Sequence, residues 1–556
     1  YTGGNDGMLH ALDAATGEEL FGYVPGLVYE NLKIFANPDY THKFYVDLTP
    51  YVKERVNFSG TPKTVLVGGL GKGGKGYYAL DITDLSGASS FAGMTEAAMA
   101  NRVLWEFPDS GATTEVVNDM GFSYSKAYIA KTNDTTNAPW VVVFGNGYNS
   151  ENSSAVLFIL DPTDGTLLKR IDTGVTNCNG LSSPALLDAD LDEKLDYVYA
   201  GDLQGNLWKF DLTSTDYNDW GVAFGEDNNS DGSINFDDGD VPQPLFQARG
   251  PADSLQPITT EPDLMPHCGY PDLPGWMIVF GTGKYLGADD LEDTSTQAIY
   301  GIWDYADDED DYEYLGSFAS GATPQLTNQD DAVTLLQQTF SEYILDVDID
   351  EDNDGIADDT EEMTFRVLSD NTPEWRVTTT PDGGTSCGDY PTSEFGCDPD
   401  GVGTAGDPVE NAGWYVEFLD PGERMISDPL IRLGFLTYIT FVPEESPCGG
   451  EGYSFPNFAD PCTGGNLGGA VFDINQDGVI DSEDLINIGT EANPIWVAPS
   501  AKKFAGELKP PAIVRMPGSY GESKDKYFLS SSLGTIVTIT AKSPKIGIIY
   551  WKDMRE

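Results

Sequence analysis

Residues 186–212 read LLDADLDEKLDYVYAGDLQGNLWKFDL, and the two halves of this stretch decide what is built. The second half, YVYAGDLQGNLWKFDL, is a pair of β-rich runs joined by a turn holding Asp202 and Gly205, which predicts a β-hairpin. The first half sets Asp188, Asp190, Asp192 and Asp196 at positions 1, 3, 5 and 9 of one loop. Alternate residues of a curling loop turn inward, so these carboxylates and the position-7 carbonyl of Lys194 can surround Ca2+ with oxygens. Without a cation, carboxylates packed that closely repel by about 1 kcal/mol per pair even in water. The competing reading is a solvated acidic turn; the ligand spacing, and its repetition elsewhere, favours calcium.

Outward from this stretch one theme recurs: a β run ending in Gly, a turn, a second run ending in Asp, then a third apolar run. Copies read YTGGNDGMLHALDAATGEELFGYVP (1–25), TVLVGGLGKGGKGYYALDITD with VLWEF (64–107), WVVVFGNGYNS with AVLFILDPTDGTLLKRID (140–172), the hairpin itself, and WMIVFGTGKYL with AIYGIWDY (276–305). Repeats of three or four strands at such spacing predict propeller blades with insertions, a closed arrangement that protects sheet edges. Residues 306–410 break the pattern with an acidic run at 307–311, one stretch near 332–343 that reads as helix, and a Gly/Cys/Pro-rich loop. They are expected to be an insertion outside the barrel. Strand-like sequence resumes at GWYVEF (413–418) and LGFLTYITFVP (433–443), and ends in DKYFLSSSLGTIVTITA (525–541). The expected architecture is therefore all-β: a seven-bladed propeller, six or eight blades being the alternatives, with loop insertions carrying EF-hand-like calcium loops. Its parts are 1–305 (first blades), 306–410 (the acidic insertion) and 411–556 (remaining blades and closing strands).

Three further loops fit the twelve-residue calcium pattern, each with Gly at position 6 for the sharp turn. DNNSDGSINFDD offers Asp227, Asn229, Asp231, the carbonyl of Ser233 and Asp238. DEDNDGIADDTE offers Asp350, Asp352, Asp354, the carbonyl of Ile356, Asp358 and Glu361. DINQDGVIDSED offers Asp473, Asn475, Asp477, the carbonyl of Val479, Asp481 and Asp484. Three to four Ca2+ ions per chain are expected. The loop at 188–196 has Glu193 at position 6 and Tyr199 at position 12, so its affinity is expected to be weaker and its occupancy regulatory.

The chain of 556 residues holds 91 acidic against 30 basic residues, a net charge of −61. Phosphate recognition needs clustered Lys and Arg, so nucleic acid is excluded as a partner. No apolar run reaches the length of a membrane span. The sequence opens inside a strand-like run, and an upstream region is expected. Six cysteines, Cys178, Cys268, Cys387, Cys397, Cys448 and Cys462, lie in Gly/Pro-rich stretches without a CxxC pair, which favours disulfides and an oxidising compartment over zinc. Proximity pairs Cys387 with Cys397 and Cys448 with Cys462, leaving Cys178 for Cys268. GGLGKGGKGYY (68–78) approaches a phosphate loop, but Gly76 stands where Ser or Thr would hold magnesium, so it reads as a hairpin turn. No nucleophile–base pair is visible and only His10, His42 and His267 occur; no enzymatic activity is expected.

NDGMLHALDAATGEEL, VLVGGLGKGGKGYYALDIT, FGNGYNS, NGLSSPALLDADLDEKLDYVYAGDLQGNLWKFDL, FGTGKYL and the terminal YWKDM together resemble the C-terminal propeller of the PilY family of type IV pilus factors. The resemblance is close over 1–305 and looser over 410–556. It implies a seven-bladed modified propeller that binds calcium, with the family's loop on Asp188, Asp190, Asp192, Lys194 and Asp196. It also implies an extracellular place at the pilus tip, reached through an oxidising periplasm, with minor pilins as partners. Roles in pilus assembly, twitching motility and adhesion to a host or abiotic surface follow from the same resemblance. ALDAATGEEL also resembles blades of pyrroloquinoline-quinone dehydrogenases, but the adjacent Cys-Cys pair of those enzymes is missing. A calcium-rigidified matrix or surface-layer protein is the other alternative.

Overall fold

The computed structural model describes residues 1–83, 95–226, 240–269, 275–304, 316–319, 333–349, 359–373, 375, 410–432, 434–444, 452–490, 492–516 and 524–542. They form two compact units, one built on Tyr1–Pro244 and one on Leu245–Trp551.

In the first unit the chain runs through four antiparallel meanders. The first sheet pairs Thr2–Gly3, Leu9–Leu12 and Glu19–Tyr23; the second Tyr51–Phe58, Thr61–Gly69, Tyr77–Asp81 and Val103–Phe107. The third pairs Tyr128–Lys131, Trp140–Gly145, Val156–Leu160 and Leu167–Asp172; the fourth Ala185–Leu187, Tyr197–Gly201, Asn206–Asp211 and Gly221–Val222. The runs VVVF and VLFIL are apolar throughout because both faces of the third sheet are covered. Val141, Val143, Leu157 and Ile159 pack with Val198, Trp208 and Phe210 of the fourth sheet. Their neighbours Val142, Phe144, Val156 and Phe158 pack with Val67, Tyr77 and Phe107 of the second. The two-residue period of a strand thus splits one sequence run between two cores, as stacked blades require.

In the second unit, Asp263–Pro266, Trp276–Gly281, Ala298–Asp304 and Glu410–Glu417 form the fifth sheet. Leu430–Arg432, Phe435–Pro443, Gly452–Ala459 and Ala501–Lys502 form the sixth. Met277, Val279, Ile299, Trp303 and Trp414 of the fifth share a core with Leu436 and Tyr438 of the sixth. The closing stretch makes a three-stranded meander, Ala512–Met516, Lys524–Ser530 and Ile536–Lys542, whose Tyr527, Leu529 and Ile539 join the cluster of Ile439 and Phe458 in the sixth sheet.

Among the described residues, the expected seven blades are corrected to six. Counting strand-rich stretches overcounts blades. GWYVEF begins no unit of its own but pairs with Ala298–Asp304 to complete the fifth sheet, and the closing meander extends the core of the sixth. The helix expected near 332–343 is also replaced: Val333–Gln338 pairs in parallel with Glu410–Glu417, and Phe340–Ile349 forms a ten-residue hairpin with Asp359–Leu368. Sheet edges with free hydrogen-bonding groups capture such a segment over its weak local helix preference.

The cysteine pairing differs too. Cys268 bonds to Cys462, tying the end of one fifth-sheet strand to the turn after a sixth-sheet strand, and Cys178 is an exposed free thiol. The expected bridges Cys448–Cys462 and Cys178–Cys268 are therefore not formed. Proximity in sequence misled because 194 residues separate the true partners. Cys387, Cys397 and Cys448 lie outside the described residues. Among the described residues, no helix is long and apolar enough to cross a membrane.

Candidate functional site

The loop 188–196 leaves the strand Ala185–Leu187 and returns through Tyr197–Gly201, with Leu187 opposite Tyr197. The Asp196 amide donates to the Leu187 carbonyl at 2.9 Å, closing the loop at its neck. Between these ends the backbone takes left-handed conformations at Leu191 (φ 65°) and Glu193 (φ 70°), which non-glycine residues adopt at some cost. The reversal is held by the carboxylates themselves. Asp188 accepts from the amides of Asp192 (3.0 Å) and Glu193 (2.8 Å), and Asp196 accepts from the amide of Ala189 (2.8 Å).

This wrapping brings carboxylate oxygens of Asp188, Asp190 and Asp196 within 4.8 Å of one another. Asp188 is wholly buried, Asp196 nearly so, and Asp190 is exposed at the mouth. Burial pushes the carboxyls of Asp188 and Asp196 above the usual carboxylate range, against the hydrogen bonds that favour their charged forms. Two desolvated anions and a third at the mouth fit a hard divalent cation: oxygen donors only, more than one carboxylate, one side open for water. Asp192, also expected as a ligand, lies outside this group of three. It accepts from the amide of Lys194 (2.9 Å) and pairs with the Lys194 ammonium, which it holds at the loop surface. A cationic side chain two residues away competes for the carboxylate, which position counting does not weigh.

The sequence reading missed the support from the third sheet. Asn133 donates to the Asp196 carboxylate at 2.9 Å, Lys131 pairs with Glu193 at 2.8 Å, and the Leu195 amide donates to the Lys131 carbonyl at 2.9 Å. The one available signal was the polar run TNDTTN at 132–137. On the far side of the hairpin, fully buried Asp202 accepts from the amides of Gln204 and Asn206 and from the side chains of Asn179, Asn206 and Trp208. It fixes the turn and is not part of the cluster.

The other calcium candidates stand differently. Residues 227–238 lie outside the described residues, as do Asp350, Asp352, Asp354, Ile356 and Asp358; Glu361 sits in a strand opposite Val347. The loop 473–484 is described and turns tightly. Asp473 accepts from the Gly478 amide (3.0 Å), Asp477 from Val479 (2.6 Å), and Asp484 from Ile474 (2.7 Å) and Asp481 (2.9 Å). Burial pushes the Asp484 carboxyl up to about 6, and the buried Oδ1 of Asp473 has no hydrogen-bond partner. The expectation of an EF-hand-like calcium loop is corrected here: the flanks are a strand bridge from Phe472 to Ala541 and a three-residue 3-10 turn, Ser482–Asp484, and the loop's carboxylates do not gather into a cluster of three. Only the 188–196 loop gathers three carboxylates among the described residues.

The family model described as the PilY1 beta-propeller domain matches residues 1–342. The type IV pilus biogenesis factor PilY1 of Pseudomonas aeruginosa (strain UCBPP-PA14) is 33% identical over 504 residues, covering 87% of this chain and 37% of that protein. A PilY1 homolog of Xylella fastidiosa (strain Temecula1 / ATCC 700964) is 32% identical over 490 residues, covering 85% of this chain and 26% of that protein. The chain thus spans well under half the length of these relatives. The crystal structure of the Pseudomonas aeruginosa PilY1 C-terminal domain superposes with a TM-score of 0.64 at 29% identity, covering 98% of this chain and 92% of that one.

Proposed function

The chain belongs to the PilY1 beta-propeller family, and from that premise we propose that it is the calcium-binding propeller of a type IV pilus biogenesis factor. In this reading it acts at the cell surface, at the pilus tip. There it engages minor pilins, supports pilus assembly, twitching motility and surface adhesion, and performs no catalysis.

The observation that carries the reading is the convergence of Asp188, Asp190 and Asp196 on one point of a strained, sheet-anchored loop. Calcium bound there supplies the positive charge that two buried carboxylates lack, and binding to the native state alone stabilises it by RT ln(1 + [L]/Kd). The loop 473–484 is the second calcium position. The absence of glycine at position 6 of the first loop, and the engagement of Asp192 by Lys194, support an affinity toward the weaker end of the calcium range. There, occupancy follows the environment and biases pilus extension against retraction.

Asp190→Ala tests this, because Asp190 is exposed and its carboxylate accepts only the Asp192 amide, at 3.1 Å, among the hydrogen bonds that shape the loop. Isothermal titration should show at least tenfold weaker calcium binding at this site. Cells carrying the variant should show altered surface piliation and twitching across a calcium titration. Undiminished calcium binding by the variant removes the site; normal binding loss with wild-type piliation at every calcium level removes the regulatory role and leaves a structural staple.

A further inference from the structure

The groove beside Trp496 points to a second ligand, and we propose that it binds a neutral saccharide. Trp496 and Val497 form a two-residue strand against Ile486–Asn487, with Trp496 opposite Asn487 and Val497 opposite Ile486. Ile486 and Val497 turn into the core shared by the sixth sheet and the closing meander. Strand alternation therefore turns Trp496 outward, where it is 58% exposed. Trp496 lines a cavity of about 460 Å³ together with apolar Val367, Leu368 and Leu485 and polar Asp370, Ser482 and Lys542. That volume lies within the range of small-molecule sites, which are mostly apolar with a few polar groups that orient the ligand.

The rim decides the ligand class. The Trp496 indole N–H, the Asp370 carboxylate, the Ser482 hydroxyl and the Lys542 ammonium make no hydrogen bond or ion pair within the described residues. A purely apolar ligand would cover the apolar lining but strip water from these groups without replacing its hydrogen bonds. An anionic ligand meets a chain of net charge −61 and is repelled on approach. A pyranose satisfies both parts. Its C–H face carries partial positive charge and stacks on the negative face of an indole. Its hydroxyls both donate and accept, so one ring can serve Asp370 and Lys542 together. The groove has room for about two such rings. None of this depends on the pilus reading or on calcium at 188–196.

The test titrates the 556-residue chain with chitotriose, cellotriose and maltotriose, read by saturation-transfer NMR and tryptophan fluorescence. At least one should bind with a dissociation constant on the order of millimolar. Trp496→Ala should weaken it at least tenfold without changing the melting temperature, Trp496→Phe should restore part of the loss, and Asp370→Asn, a change at an exposed position, should weaken it about threefold. The proposal is overturned if no trisaccharide gives transfer, or if Trp496→Ala binds as wild type. It is equally overturned if a neutral apolar dye such as Nile red occupies the groove while none of the sugars does.

Discussion

At the scale of single residues, His267 has the clearest consequence. It is buried between the rings of Trp303 and Trp375, with centroids 4.3 and 4.5 Å away. Its Nδ1 accepts from the Gly269 amide, and its Nε2 has no partner. Burial drops its pKa from 6.5 to about 4. The unfolded chain therefore binds this proton below pH 6.5 while the folded chain refuses it until about pH 4, so stability rises with pH across that window and is lost as pH falls through it. Denaturant unfolding at pH 4 and pH 7 should show His267→Gln losing less stability than wild type on acidification, by up to about 3 kcal/mol; equal losses would exclude His267 as an acid-sensitive point. The identity of such residues is only partly legible in sequence. Asp188, Asp190 and Asp196 could be read as one set because a loop brings them together locally. Asn133, which completes Asp196's surroundings, lies in another strand system and carries no mark of its partner.

At the scale of elements, one turn recurs. In DAATG (13–17), DPTDG (161–165) and DPCTG (460–464) the last glycine's amide donates to the first aspartate's carbonyl, at 2.8, 2.9 and 2.8 Å. The later two are roofed by tryptophan: Trp105 donates to the Pro162 carbonyl and Trp414 to the Pro461 carbonyl, both at 3.0 Å. Gly165 and Gly464 have positive φ, and a Cβ on either would sit under 3 Å from the ring above, so no other residue fits. Cys462 belongs to the third of these turns, and its bond to Cys268 closes a 194-residue separation. Replacing both cysteines by serine should cost about 2–5 kcal/mol by freeing the unfolded chain, measured by denaturant unfolding under oxidising conditions; a change under about 0.5 kcal/mol would mean the packing around the turn does the work alone. Strands and turns of this kind were legible because period-two patterning and turn residues are local signals. The blade count, the cysteine partner and the strand at 333–338 were not, because each is settled by which distant edge or turn a segment meets.

At the scale of the whole molecule the dominant quantity is the charge of −61. Self-repulsion of that size falls when salt shortens the Debye length from about 30 Å at 0.01 M to about 10 Å at 0.1 M. Sodium chloride between about 10 mM and 500 mM should raise the melting temperature by several degrees in calcium-free buffer; a flat or falling curve would show that charge spacing on the surface already neutralises the effect. The loop at 188–196 has a different role at this scale. Its ties to the third sheet (the Thr132–Leu195 bridge, Asn133 to Asp196 and Lys131 to Glu193) lie side by side across one seam. Force that pulls the third and fourth sheets apart along this seam meets the three ties together instead of peeling them singly, so they share the load. A cation joining Asp188 and Asp190 to Asp196 would add the strand Ala185–Leu187 to the same load path. The seam would then be strongest when the ion is in place, making its resistance to tension a function of the surrounding medium.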